Sequence, residues 1–395
     1  MSNLEIGETM VKPVTRKPWQ TFLTVLPMLL FSWMMLSQGN GIDTDSLKLI
    51  PLLVTYFFVN IIFILMVHTG KTDKYRSILF VTYAVCFVLS FIPNLLEVRG
   101  SNVYTPEDII QGKIPFCHIV IPMTVIPAAL TKTIIFPGSL LEGFASIGSM
   151  IIIWLGASLA LGRGFCSWGC FYGGLEDGFA RIGKKPFLKK IDPKWRYLSY
   201  AVLLAVVLTS LATLSPTYCI WLCPFKAVTE FEKISSVLVL IQTIIFASLF
   251  VGLVMVLPML TKKRTQCSFL CPMGAFQSFT NKVDPFEIRI DREKCSHCGL
   301  CINVCPTFSM DEVSLAKGKA NLSCTKCGKC IDRCPKKAIS LGVKGSATAG
   351  NRGGGARLIF LYPAFMFLVT FSGGMIQDAI RRVLMLLTTG KFIQM

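Results

Sequence analysis

Between Trp19 and Met375 the chain carries about seven uncharged apolar stretches, each near the roughly 20 residues that a helix needs to cross a bilayer. They are Trp19–Leu36, Leu49–Val67, Ser77–Leu96, Gly143–Leu161, Tyr197–Leu214, Ser235–Leu260 and Leu358–Met375. No other feature limits the fold so severely. In lipid every backbone donor and acceptor must find its partner within the chain, which leaves only helices or closed barrels. Composition agrees, with 53% apolar and 16% charged residues, against about 45–50% and 25% in soluble domains. Lys12, Arg16 and Lys17 precede the first stretch in the manner of a signal peptide, but it is too long and lacks a small-residue cleavage site. It is therefore expected to be an anchor.

One further apolar stretch, Ile114–Phe136, is poorly suited to lipid. It contains Pro115, Pro122, Pro127 and Lys132, and Pro137 follows it. Each proline removes a backbone donor that lipid cannot replace, so a broken, re-entrant element packed inside protein is expected. Charge supports this. With the N-terminus inside, the loops Lys71–Arg76, Arg163–Arg196 and Lys262–Arg264 fall on the cytoplasmic side, and all three are basic. The loops assigned outside offset their cations with Asp43 and Asp45, or with Glu97, Glu107 and Asp108. Counting Ile114–Phe136 as a full crossing would move the most basic loop outside. The same clustering of Lys and Arg beside apolar runs accounts for the net charge of +18 without invoking nucleic acid. The expected partners are membrane lipid and a redox protein.

These readings divide the chain into a membrane domain over 1–280, a polar cysteine-rich domain over 281–341, a Gly/Ser/Ala linker over 342–357, and a last span with an amphipathic tail over 358–395. The tail, from Gln377 on, is expected to lie on the membrane surface. The fold class is an all-α polytopic membrane domain carrying an inserted α+β two-cluster ferredoxin-like domain. The protein is placed in the inner membrane with that domain in the cytoplasm.

Sixteen cysteines are unusual for such a chain, and their spacing is that of metal ligands rather than of a disulfide framework. Cys295, Cys298, Cys301 and Cys305-Pro306 form a C-x2-C-x2-C-x3-C-P run, and Cys324, Cys327, Cys330 and Cys334-Pro335 repeat it. A cubane needs four thiolates, and a tight loop supplies three. In two-cluster ferredoxins the fourth cysteine of each run serves the other cluster. One [4Fe–4S] cluster is thus expected on Cys295, Cys298, Cys301 and Cys334, the other on Cys324, Cys327, Cys330 and Cys305. Structural zinc also uses C-x2-C pairs, but it does not explain two C-x3-C-P endings in pseudo-repeat.

Three C-x3-C pairs lie at the ends of expected spans: Cys166/Cys170, Cys219/Cys223 and Cys267/Cys271. In a helix a spacing of four puts both thiols on one face, so two facing pairs would make a four-thiolate site. The span count places Cys166, Cys170, Cys267 and Cys271 at the inner face. It places Cys219/Cys223 near the outer face with Cys117 and His118, where a disulfide between the pair is the competing reading. Further Fe–S clusters at these pairs are expected, with Cys117 as an added ligand of the outer one. Haem is not expected, because His68 and His118 are assigned to opposite faces and His297 lies in a cluster loop.

The layout of C-x3-C pairs followed by two ferredoxin motifs, over Gly162–Leu341, resembles the membrane-bound polyferredoxins of the NapH/NosR type, which accompany periplasmic nitrate and nitrous oxide reductases. The resemblance implies electron transfer between the quinone pool, or a cytoplasmic donor, and a membrane or extracytoplasmic oxidoreductase. Two features depart from the pattern: Phe171 rather than proline follows Cys170, and the pair Cys219/Cys223 is additional. No flavin domain is visible, so a flavin does not carry over. A metal- or thiol-reducing biogenesis factor for another redox enzyme is the alternative class.

Overall fold

The computed structural model of the chain describes residues 17–37, 45–97, 117–132, 147–183, 185–188, 191–229, 234, 236–346 and 355–390. It is mostly helical. Among these residues five helices are long and apolar enough to cross a membrane: Pro18–Ser37, Ser46–Thr69, Pro193–Thr213, Val237–Thr261 and Gly355–Thr389. A sixth results if the bent pair Ile151–Ala160 and Gly162–Trp168 is one span. The stretch Ser77–Leu96 lies within a 26-residue helix, Thr72–Glu97.

The first three helices and the last form one core. Asp45 caps Ser46–Thr69 by accepting from Leu47 N, and Gly70 ends it at φ 75°, so the chain reverses at once into Thr72–Glu97. Gly355–Thr389 packs against all three, burying Phe360, Leu361, Ala364, Phe365, Leu368 and Val369 with Phe63, Phe80 and Met66. The helix Val237–Leu249, by contrast, has no buried residue. A largely apolar, exposed helix is what lipid contact would favour.

One expectation about the path of the chain is corrected. The tail is not a separate surface helix: Gly355–Thr389 runs unbroken for 35 residues. No proline interrupts it beyond Pro363, and the cations Arg381 and Arg382 pair with Asp378 one turn earlier. The proline-rich segment contains a 3-10 turn, His118–Val120, followed by the helix Ile121–Thr131, which Lys132 ends at φ 57°. That element is shorter than a span. Its entry and exit, the outer loops and most of the linker lie outside the described residues.

The cysteine-rich domain closes on a two-stranded antiparallel sheet, β1 (Phe286–Ile290) and β2 (Ile339–Val343), with Phe286 opposite Val343 and Ile290 opposite Ile339. Pairing its two ends holds both cysteine runs in the loop between them. The inner face of the sheet buries Ile288, Ile290 and Ile339 with Met310 and Leu315.

Candidate functional site

The two cysteine runs build two cavities. In each run the third cysteine lies in a five-residue helix, Leu300–Val304 or Lys329–Arg333. The glycine before each helix, Gly299 at φ 70° or Gly328 at φ 85°, takes the left-handed turn that a side chain would strain. A cavity of about 380 Å³ is lined by Cys295, Cys298, Cys301 and, from the other run, Cys334. A second, of about 300 Å³, is lined by Cys324, Cys327, Cys330 and, from the first run, Cys305. Each cavity thus presents four thiols, three close in sequence and one distant, which fits a cubane. The fourth cysteines also receive backbone amides: Ser309 N donates to Cys305 Sγ at 3.2 Å and Ala338 N to Cys334 Sγ at 3.3 Å. Among the described residues no three His, Cys, Asp or Glu side chains gather around one metal ion; in a cubane each thiolate meets a different iron.

The cavities differ in depth. Cys298 is exposed, whereas Cys305, Cys327 and Cys330 are buried. The deeper cavity faces the membrane domain, and a set of buried cations joins the two. Arg76 donates from Nε to the Cys327 carbonyl at 3.2 Å and from Nη1 to the Ser167 carbonyl at 3.1 Å. Trp168, fully buried, donates from Nε1 to the Lys326 carbonyl. Lys326 pairs with Asp284 at 3.0 Å. Asp332 accepts the amides of Thr72 and Asp73 at 3.2 and 2.7 Å, an anion at a helix start. Lys263 gathers the carbonyls of Ile302, Asn303 and Cys305. Phe269 stacks on Phe308. Trp168 and Phe269 therefore pack at the junction rather than anchoring at a lipid interface.

Behind this junction the first and third C-x3-C pairs form a pseudo-symmetric unit. Arg163 and Arg264 each stand three residues before the first cysteine of a pair and reach across to the other pair. Arg163 Nη2 donates to the Cys267 carbonyl at 3.0 Å, and Arg264 Nη1 to the Cys166 carbonyl at 3.2 Å. Asp177 and Ser278, each seven residues after a second cysteine, receive them: Arg264 pairs with Asp177 at 3.0 Å, and Arg163 donates to Ser278 Oγ at 2.6 Å. Gly173 and Gly274 let the helices pass close to the cysteine loops, since a Cβ on Gly274 would stand 2.9 Å from the Cys267 carbonyl and one on Gly173 would overlap that of Cys166. Burial alone would push the Asp177 carboxyl up, but Arg264, Arg76 and Arg181 hold it well below the usual carboxylate range. Burial pushes Glu176 up to about 7, against the amides of Gln266 and Cys267 that it accepts. These charged residues were missed in the sequence. The repeated arginine and glycine offsets around the two pairs were the available signal.

The expected separation of the pairs between two membrane faces is overturned. Cys117, Cys219 and Cys223 pack in the same buried cluster as Cys170, with Tyr172, Tyr218 and Phe225. His118 Nε2 lies 3.0 Å from Cys170 Sγ. The reason is that the chain does not follow straight spans. It bends by 109° between Ile151–Ala160 and Gly162–Trp168. After Leu214, at φ 48°, it folds back, so that Thr217 bonds Ser210 and the Val206 carbonyl, far from the helix end. Cys86 stays apart, packed against the core of the first helices.

Fold and site together define a membrane-embedded iron–sulfur protein with a ferredoxin module clamped to its helices. A 4Fe-4S dicluster domain family matches residues 287–349, and a 4Fe-4S binding domain family matches three times in tandem, over 143–190, 195–237 and 243–290. Each tandem match holds one C-x3-C pair. The chain is similar to YccM of Escherichia coli, 27% identical over 186 residues, covering 43% of this chain and 48% of that protein. An uncharacterized protein of Methanocaldococcus jannaschii is 31% identical over 174 residues, covering 41% and 67%. The ferredoxin-type protein NapH of Haemophilus influenzae is 26% identical over 170 residues, covering 42% and 54%. The chain thus spans about half to two thirds of the length of these relatives. No solved structure matches it. The chain belongs to the membrane-bound [4Fe–4S] polyferredoxins of the NapH type.

Proposed function

We propose that the protein carries electrons between a cytoplasmic donor or the quinone pool and a membrane or extracytoplasmic oxidoreductase. The observation that carries this reading is the graded placement of cysteine groups. An exposed four-thiol cavity at Cys298 adjoins a buried one, and Arg76 and Trp168 link the buried one to the C-x3-C loops. A bound [4Fe–4S] cluster accepts and releases one electron with little rearrangement. Cys295, Cys298, Cys301 and Cys334 would hold the outer cluster, and Cys305, Cys324, Cys327 and Cys330 the deeper one. A further centre within the C-x3-C region extends the same route into the membrane domain.

The chain's own residues hold these groups in place. Arg76 and Lys263 fix the cysteine loops through their carbonyls, leaving the thiols free to ligate. Arg76, Arg163 and Arg264 are 0–2% exposed, and their charge favours anionic thiolate groups nearby. The membrane domain, inner-membrane placement and cytoplasmic module belong to the same proposal.

Iron and acid-labile sulfide of the purified protein test it. The ferredoxin module alone requires about eight of each per chain, with visible absorbance that bleaches on reduction. Cys334→Ala should remove the centre held by Cys295, Cys298 and Cys301. Loss of the same centre from Cys334→Ala and Cys324→Ala would refute the crossed arrangement, and zinc in place of iron would refute the function.

A further inference from the structure

We propose that Cys117, Cys170, Cys223 and Cys271 together form a third [4Fe–4S] site, taking one thiolate from each of the three repeats and one from the proline-rich segment before them. This deepens the reading above, since it rests on a centre existing in the C-x3-C region, and it replaces the two facing pairs with a different ligand set.

The four cysteines share a local geometry. Each is followed by a turn whose amides point back at its sulfur. The nearby amides are those of Ile119 and Val120 for Cys117, Tyr172 and Gly173 for Cys170, and Phe225 and Lys226 for Cys223. For Cys271 the donor is Gly274 N, at 3.4 Å. Three of them have the extended backbone of a cap residue, with ψ of 110° at Cys117, 109° at Cys170 and 113° at Cys271. The fourth cysteines of the ferredoxin runs have the same form, with ψ of 117° at Cys305 and 112° at Cys334, and also accept amides. Amide bonds to sulfur stabilise a thiolate and tune a bound cluster.

The first cysteines of the pairs lie within reach of the same interior, Cys166 of Cys170 and Cys271 and Cys267 of Cys271 and Cys170, but each is also engaged by a charged side chain. The Cys166 thiol meets the Arg163 guanidinium, and the Cys267 thiol meets the Glu176 carboxyl. The two thiols of a pair do not share one helix face, because Phe165–Trp168 and Thr265–Phe269 both end before the second cysteine. Cys170 and Cys271 instead cap the next helices and turn toward the shared interior.

In that interior the four are neighbours. Cys223 lies within electrostatic reach of Cys117 and Cys271, and Cys170 within reach of Cys271. The Tyr172 hydroxyl bonds Cys117 and sits beside Cys223 and Cys170. An independent polar group also aims into the site: His118, 7% exposed, brings Nε2 to 3.0 Å from Cys170 Sγ.

The test is iron content with EPR of the reduced full-length protein in detergent. Wild type should hold about twelve iron atoms per chain, eight of them in the ferredoxin module. Cys117→Ala and Cys223→Ala should each lower this to about eight and remove one EPR signal, while Cys166→Ala and Cys267→Ala keep about twelve. The ferredoxin signals report folding in every variant. If Cys117→Ala or Cys223→Ala fails to accumulate, Cys117→Ser and Cys223→Ser supply an oxygen ligand and should shift the third signal alone. Loss of iron from Cys166→Ala and Cys267→Ala, with about twelve retained in Cys117→Ala and Cys223→Ala, would overturn the proposal in favour of the facing pairs. A wild-type value near eight would overturn the existence of any third centre, and this ligand set with it.

Discussion

Replacing Asp177 with asparagine removes the carboxylate on which three guanidinium groups converge. Arg76 and Arg181 reach Oδ2, each at 3.1 Å, and Arg264 reaches Oδ1 at 3.0 Å. The Asp177 side chain is 2% exposed, and those of Arg76 and Arg264 are 0%. The three cations do not suffer equally. Asp73 still pairs with Arg76 at 2.8 Å and Arg181 at 2.7 Å. Arg264 would keep two neutral hydrogen-bond acceptors, the Cys166 carbonyl and Ser167 Oγ, with the Glu176 carboxyl, pushed up by burial, as its nearest other acidic group. Stranding one charge of a buried pair typically costs about 3–5 kcal/mol, and the Arg264 guanidinium has no route to solvent. We therefore expect Asp177→Asn to destabilise the protein by about 3–5 kcal/mol, measured by denaturant unfolding in detergent. Most of this loss should come from Arg264. The double variant Asp177→Asn/Arg264→Met removes both charges and should recover a large part of it, since apolar replacement of a whole buried pair is often near neutral. Strict additivity of the two substitutions, or a single-variant loss below about 0.5 kcal/mol, would refute the claim that this pair clamps the Cys166–Cys170 loop.

Gly173→Ala should cost about 1–3 kcal/mol by overpacking, because its new methyl overlaps the Cys166 carbonyl; unchanged stability and iron content would contradict the close helix–loop approach. Asp332→Ala should loosen the ferredoxin module by about 1–3 kcal/mol, leaving the Thr72 and Asp73 amides without their acceptor. Faster proteolysis between the module and the helices is the expected result, and an unchanged rate would count against the contact. Reporter fusions at Lys185 and Thr261 should both report the cytoplasm, and opposite readings would reverse the assigned orientation.

Much of this was legible along the chain. The apolar stretches are helical wherever described because lipid-length runs without charge have no other way to satisfy their backbone. The ferredoxin cysteines could be grouped from spacing alone, and the cavities collect the same two sets of four thiols. In both cases the determining contacts are local, or follow from a motif that closes on itself. Spacing failed at the C-x3-C pairs. Counting residues along straight spans put Cys219 and Cys223 a membrane's width from Cys170. Only packing revealed the left-handed residue Gly162, the fold-back after Leu214 and the short helices that end between paired cysteines.

The charged clamp was beyond reach for a related reason. Arg76 meets Cys327 across 251 residues of sequence and Arg264 meets Cys166 across 98. A lone arginine beside an apolar run looks like any other topology signal. Its burial, and the carboxylate that answers it, are set by how the last helix and the ferredoxin module close over the first helices. The sequence by itself determined which stretches form long apolar helices and which thiols share the ferredoxin loops, because these depend on composition and near-neighbour spacing. The tertiary structure alone decided which distant thiols and charges meet, because burying an ion requires its partner to arrive from wherever the packed chain places it.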